Sequence, residues 1–322
     1  MTRTAPAGRA RPAGDGFAAE VAEYLQRRPR QLPSKYLYDA LGSALFDAIC
    51  HLPWYRITRA ETALIAAHAP AMLPAGPRPH MVAELGCGNG DKLAVLLEAS
   101  GAVCRDVHLV DMSIDALDRA RHRLRAARVE AIHTHPLGYE EGFRRAVANR
   151  RPGAPLTVLF LGSNLGNFDP PAAHDLLSSL RGRMCPGDAL LLGTDLTKPE
   201  RDLLLAYDDP LQVTAAFNRN LLRRINEELT GTFDLDGFGH RALWNAADSR
   251  VEMHLVSLRR QHVEIRAANL AVTLNDGDTI WTESSYKYTP EAAAAAGEAA
   301  GFRAAGQWID AEARFALTRF SV

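Results

Sequence analysis

The strongest constraint on how this chain folds is an alternation running from about residue 60 to residue 196. Short apolar runs, "MVAELG", "VHLVD", "VEAIHTH", "TVLFLG" and "ALLLGTD", are separated by amphipathic segments such as "DKLAVLLEAS" and "SIDALDRARHRLRAA". A strand buried on both faces reads as a continuous apolar run, and parallel neighbours need a helical crossover between them. The pattern predicts an α/β architecture with a doubly wound parallel sheet. After Asp195 the texture changes. "VTAAFNRNLLRRINEEL" reads as one long helix, and "VEMHLVSLRRQHVEI" with "LAVTL" as antiparallel strands, which marks a second, smaller α+β lobe. "TPEAAAAAGEAAG" predicts a last helix with Thr289 as N-cap and Pro290 at its first position. "FRAAGQWID" and "RFALTRFSV" then read as strands returning to the first sheet. The expected division is a disordered tail at 1–16, a lobe from 17–59 plus 197–286, and the sheet domain from 60–196 plus 287–322.

Within the alternation, "AELGCGNGDK" sets glycines at 86, 88 and 90 between a strand and a helix. Glycine lacks Cβ, so this stretch can turn sharply and let a ligand rest on bare peptide groups. A dinucleotide fingerprint would need glycine at 91, where the chain has Asp91. GxGxG after an acidic residue, here Glu84, is instead typical of S-adenosylmethionine (SAM) sites. Asp111 closes the next strand, where a carboxylate can accept from both ribose hydroxyls; Asp111 or Ser113 can equally cap the helix that begins near Ile114.

Composition narrows the partners. Lys and Arg number 37 against 38 Asp and Glu, so no excess positive charge draws nucleic acid or an anionic membrane, and a small molecule is the expected partner. No stretch approaches the roughly 18 apolar residues of a bilayer span, and "MTRTAPAGRARPAGDG" has no apolar segment like that of a secretory signal. Cys50, Cys87, Cys104 and Cys185 lie far apart, with no CxxC pair. The expectation is a cytoplasmic monomer without disulfides or a metal. His133 and His135 alternate on one strand beside Glu140 and Glu141, a weak pattern for a metal site.

The segments "KYLYDALGSALFD", "LPWYRITRAE", "FLGSNLGNF", "GTDL", "AYDDPLQVTAAFNRN" and "TESSYKY", in this order, resemble the histidine-specific N-alpha-methyltransferases of ergothioneine biosynthesis. The resemblance runs from about residue 32 to the C-terminus. It implies a Rossmann-like class I SAM-dependent methyltransferase domain with a substrate-binding lobe. It also implies three successive methyl transfers that convert L-histidine to hercynine. On the cofactor side it implies Tyr38 near the sulfonium, Gly86 and Gly88 in the loop, Lys92 for the methionine carboxylate and Asp111 for the ribose. On the substrate side it implies Gly162, Asn167 and Tyr207 at the amino and carboxylate end, Tyr55, Glu283 and Ser285 at the imidazole, and Met253 as an apolar wall. The family usually has an acidic residue followed by phenylalanine at the adenine, where this chain has Gly138 and Tyr139.

These residue types suit methyl transfer on chemical grounds. In-line displacement needs a neutral amine held behind the methyl group, and orientation of that kind is worth about 7 to 11 kcal/mol, more than a single general base supplies. Tyr38, Asn167 and Tyr207 are therefore expected to act by positioning. Glu283 accepting an imidazole N–H, with Ser285 at the other nitrogen, would select histidine, and a carboxylate there favours imidazolium. The plainer alternatives are a solvated strand face for Glu283 and Ser285, half-buried aromatics for Tyr55 and Tyr207, a helix cap for Asn167 and core packing for Met253. At the level of function the alternatives are a methyltransferase for another amino acid or amine, and a non-catalytic binding module.

Overall fold

The fold was obtained as a computed structural model that describes residues 13–74, 76, 80–127, 129–148 and 150–322. The chain runs α1 (Ala13–Gln26), β1 (Arg30–Gln31), α2 (Ala40–His51), α3 (Ile57–Met72), β2 (His80–Leu85), α4 (Asp91–Ser100), β3 (Cys104–Val110) and α5 (Ile114–Arg123). Then come β4 (Val129–His135), α6 (Tyr139–Ala148), β5 (Leu156–Phe160), α7 (Pro170–Arg181), β6 (Ala189–Asp195), α8 (Glu200–Tyr207) and α9 (Val213–Leu229). The remainder is β7 (Phe238–Asn245), β8 (Arg250–Ser257), β9 (Gln261–Ile265), β10 (Leu270–Leu274), β11 (Thr279–Tyr286), α10 (Pro290–Ala299), β12 (Arg303–Asp310) and β13 (Phe315–Ser321).

The described residues pack as two compact units: those of 13–37, Ala215–Arg241 and Met253–Glu283 form one, and those of Tyr38–Thr214, Ala242–Glu252 and Ser284–Val322 the other. These borders differ from the expected ones, because 38–59, 197–214, 242–252 and 284–286 group with the sheet domain. The expected tail at 1–16 lies outside the described residues as far as 12, and α1 begins at Ala13.

The second unit holds a seven-stranded sheet in the order β12-β13-β6-β5-β2-β3-β4. β2 pairs in parallel with β3 and β5, β3 with β4, and β5 with β6, whereas β12 and β13 add antiparallel. The doubly wound parallel core and the returning final strands match the sequence pattern. Every residue of β2, β5 and β6 is buried, as their largely apolar runs require, whereas no residue of β4, also expected to be buried on both faces, is, because it is the edge strand of the sheet. Leu85, Val158, Phe160, Leu177, Leu190 and Phe320 share one core cluster, each burial worth roughly 1.5–3 kcal/mol.

Topology then positions the site. From β2 the chain winds outward through β3 and β4 and returns on the other side of β2 as β5. Strand order reverses between β2 and β5, and in open α/β sheets ligands bind in the crevice outside the carboxyl ends at such a switch point. The loops leaving β2 and β5 carry "GCGNG" and "LGSNLGN".

The first unit holds α1, β1, most of α9, the antiparallel pair β9–β10 and parts of β7, β8 and β11, strands that pair in the order β1-β11-β8-β7. Asn218 of α9 anchors that unit, donating to the carbonyl of His254 at 3.2 Å.

Candidate active site

Three glycines make the turn after β2. Gly86, Gly88 and Gly90 all have positive φ, +75°, +52° and +80°, a region that other residues enter only under strain. A side chain on Gly86 would come within 2.6 Å of Asn164 Nδ2 and 3.2 Å of the Tyr139 ring, so the close approach is real. Asp111, one residue past β3, accepts from Gly88 N–H (3.2 Å) on one oxygen and from Ser113 N–H (2.9 Å) on the other. Burial pushes its carboxyl up, and these amide bonds work against that. Ser113, not Asp111, caps α5, accepting from Ala116 N–H. Gly138 and Tyr139 open α6, where the Tyr139 ring packs edge-on to Phe160 at 5.1 Å against the glycine turn.

The loop after β5 is pinned from both ends. Gly162, at φ +72°, donates its N–H to the fully buried carboxylate of Glu61 on α3, at 3.0 and 2.9 Å to the two oxygens. The same carboxylate accepts from Lys92 Nζ at 2.5 Å, and this pairing, acting against burial, raises the lysine's pKa. Ser163 Oγ accepts the backbone N–H of Asp195 at 2.9 Å. Asn167 ends a short 3-10 helix, Asn164–Asn167, and the N-cap position of α7 belongs to Asp169 rather than Asn167.

A second cluster lies around Asp195, at the end of β6. Tyr207, on the last turn of α8, donates from Oη to Ser285 Oγ at 2.8 Å. Lys287 Nζ donates to Tyr207 Oη (2.8 Å), to Ser285 Oγ (2.9 Å) and to Asp195 Oδ2 (2.9 Å). Its side chain is 0% exposed, yet the Asp195 and Tyr207 partners outweigh desolvation and raise its pKa. Lys198 pairs with the other Asp195 oxygen at 2.6 Å, and burial pulls its pKa down. Tyr55 is buried with its phenol pKa well raised by desolvation and by the neighbouring Tyr207 and Cys50. Tyr38 and Tyr55 both meet Phe46 edge-on, at 5.4 and 6.1 Å.

Met253 and Glu283 belong to the first unit. Both are buried, and the Met253 and Glu283 carbonyls accept from Thr282 Oγ1 and Trp281 Nε1 at 3.0 and 2.8 Å. Residue pattern alone did not single out Lys287, Asp195 or Glu61. For Lys287 a signal existed: one residue past β11 it continues the alternation Glu283, Ser285, and a lysine at a core-facing position needs a partner.

The second unit fits SAM. Its ribose hydroxyls and ammonium are donors, and Asp111 together with Glu84 are acceptors at the glycine turn. Glu84 is 2% exposed, burial pushes its pKa to about 8, and its Oε2 has no hydrogen-bond partner among the described residues. Among the described residues no group of three or more His, Cys, Asp or Glu could hold a metal ion.

Residues 17–322 match the family described as histidine-specific methyltransferase, SAM-dependent. The chain belongs to that family. It is 39% identical over 93% of its length to the histidine N-alpha-methyltransferase of Mycobacterium tuberculosis, covering 92% of that protein. The Mycolicibacterium smegmatis protein of the same name is 38% identical over 95% of each chain. Ergothioneine biosynthesis protein 1 of Neurospora crassa is 28% identical over 87% of this chain, which spans 32% of that longer protein. As a member of this family the chain is a SAM-dependent enzyme.

Proposed function

We propose that the protein transfers methyl groups from SAM to the α-amino nitrogen of L-histidine, three times in succession, giving hercynine for ergothioneine synthesis. We place this activity in the cytoplasm, in a monomer. The four cysteines are free, and no helix among the described residues is long and apolar enough to cross a membrane.

The observation that carries this reading is the bonded pair Tyr207 and Ser285 in a chain that matches the family almost end to end. SAM, when bound, supplies a methyl group on positively charged sulfur. Gly86, Gly88, Lys92, Asp111, Gly138 and Tyr139 hold it in this reading, the bare peptides of the turn taking its methionine end and Asp111 its ribose. Gly162, Asn167 and Tyr207 orient the amino and carboxylate end of histidine, Tyr38 stands near the sulfonium, and Tyr55 borders the imidazole. Glu283 accepts the imidazole N–H, Ser285 meets the other ring nitrogen, and Met253 is an apolar wall. The amine attacks as a free base, so each transfer sheds one proton to water or to a tyrosine oxygen.

The test is a mass readout of enzyme, SAM and each amino acid in turn. Histidine alone should gain three CH2 increments. Equal product from another amino acid would assign a different acceptor, and failure of SAM to bind at any concentration would leave only a non-catalytic module.

A further inference from the structure

The hydrogen bonds around Ser285 have a fixed direction. An ammonium can only donate, so Tyr207 Oη and Ser285 Oγ both accept from Lys287. The hydrogen between the two hydroxyls comes from the phenol, which is the more acidic, and goes to Ser285. Ser285 Oγ has two lone pairs, and these bonds occupy both. Its own O–H is then the one polar feature it has left to offer a ligand, and it can offer it only as a donor.

We propose that Lys287, clamped by Asp195, is a positioning residue that locks Ser285 as a hydrogen-bond donor, so that the substrate ring is accepted only with a bare nitrogen lone pair facing Ser285, as neutral imidazole. The inference rests on the proposed role of Ser285 at the ring. Charge points the same way. Lys287 and Lys198 share the one carboxylate they both pair with, Asp195, and the more distant Asp202 acts on Lys198 alone, so the fully buried Lys287 ammonium beside Ser285 disfavours a further cation there. The other titratable groups around the cluster are Asp202 at Lys198, Tyr38, Cys50 and Tyr207 at Tyr55, and Tyr286 at Tyr288, with Glu283 two residues before Ser285. Glu283 taken alone would favour imidazolium; Lys287 reverses that preference at the opposite nitrogen.

The experiment is calorimetric titration of histidine into the full-length protein saturated with S-adenosylhomocysteine, from about pH 5 to about pH 8. The free imidazole titrates near 6.5, so the wild type should lose affinity about tenfold per pH unit below that point. Lys287→Met frees a lone pair on Ser285, and its slope should fall to less than half the wild-type slope, with affinity for S-adenosylhomocysteine within about twofold of wild type. A wild-type affinity that is flat or rises toward low pH overturns the proposal, even if Lys287→Met does not fold. So does a folded Lys287→Met that keeps the full slope. The reading beneath it fails separately: wild type that binds no histidine at any pH, or Ser285→Ala that binds it unchanged at pH 8, removes the ring contact itself.

Discussion

At the residue scale, the proposed function assigns Asp111 to the cofactor end of the reaction and Glu283 to the histidine ring. Asp111 anchors Gly88 through its amide as well as offering acceptors at the switch point, so Asp111→Ala loses both a ligand contact and the loop's tether. Cofactor affinity, read by calorimetry, should fall at least tenfold while histidine binding to the remaining cofactor-loaded protein is kept; unchanged cofactor affinity would remove the ribose assignment. Glu283→Ala should do the reverse, weakening histidine by about 2 to 4 kcal/mol with cofactor binding intact, as for a truncated charge-assisted partner. Glu84 adds a pH effect. Its folded pKa of about 8 lies above the ordinary carboxylate value, so its contribution to stability is full below about pH 4.5 and is lost as pH rises through 8. Thermal melts of the cofactor-free protein from pH 5 to 9 should show Glu84→Gln flattening that decline. The place of Asp111 at a strand end beside the glycine turn was legible, while its alternative use as the cap of α5 was settled only by the fold, which gives that cap to Ser113. Glu61 and Lys287 were not, because their partners, Gly162 and Lys92 in one case and Tyr207 in the other, lie about 30 to 100 residues away in sequence and only the fold brings them together.

At the element scale, β3 and β4 carry three stacked histidines. His108 is 1% exposed, its Nδ1 lies 2.9 Å from His135 Nε2, and its ring stacks on His133 at 4.5 Å. Burial, with the His133 and His135 charges, lowers its pKa from 6.5 to about 4. The unfolded chain therefore binds more protons than the native state between pH 4 and 6.5, so stability rises with pH across that window by up to about 3 kcal/mol. Denaturant unfolding at both ends of the window checks this, and His108→Phe should remove most of the difference. The strand containing His133 and His135 was readable as a short apolar run between helical segments, and the glycine turn and the cap at Thr289, whose Oγ1 accepts from Ala292 N–H at 3.1 Å, were readable from their residue types. These are local signals. The third histidine could be found only through the register that sets His108 opposite His133.

At the scale of the whole molecule, the order of strands and helices followed from apolar periodicity, while the borders of the two units did not. β7, β8 and β11 each run from one unit into the other, and a strand that changes surroundings halfway shows no break in its two-residue period. The shared carboxylate of Glu61 has a consequence for turnover. Lys92 already has an acceptor at 2.5 Å, so an incoming anionic group must compete for it, and a grip that starts occupied is a loose one. For the proposed sequence of three transfers to one acceptor, quick exchange of the spent molecule is worth more than tenacity. Stopped-flow displacement of S-adenosylhomocysteine should find Glu61→Gln releasing it more slowly than the wild type.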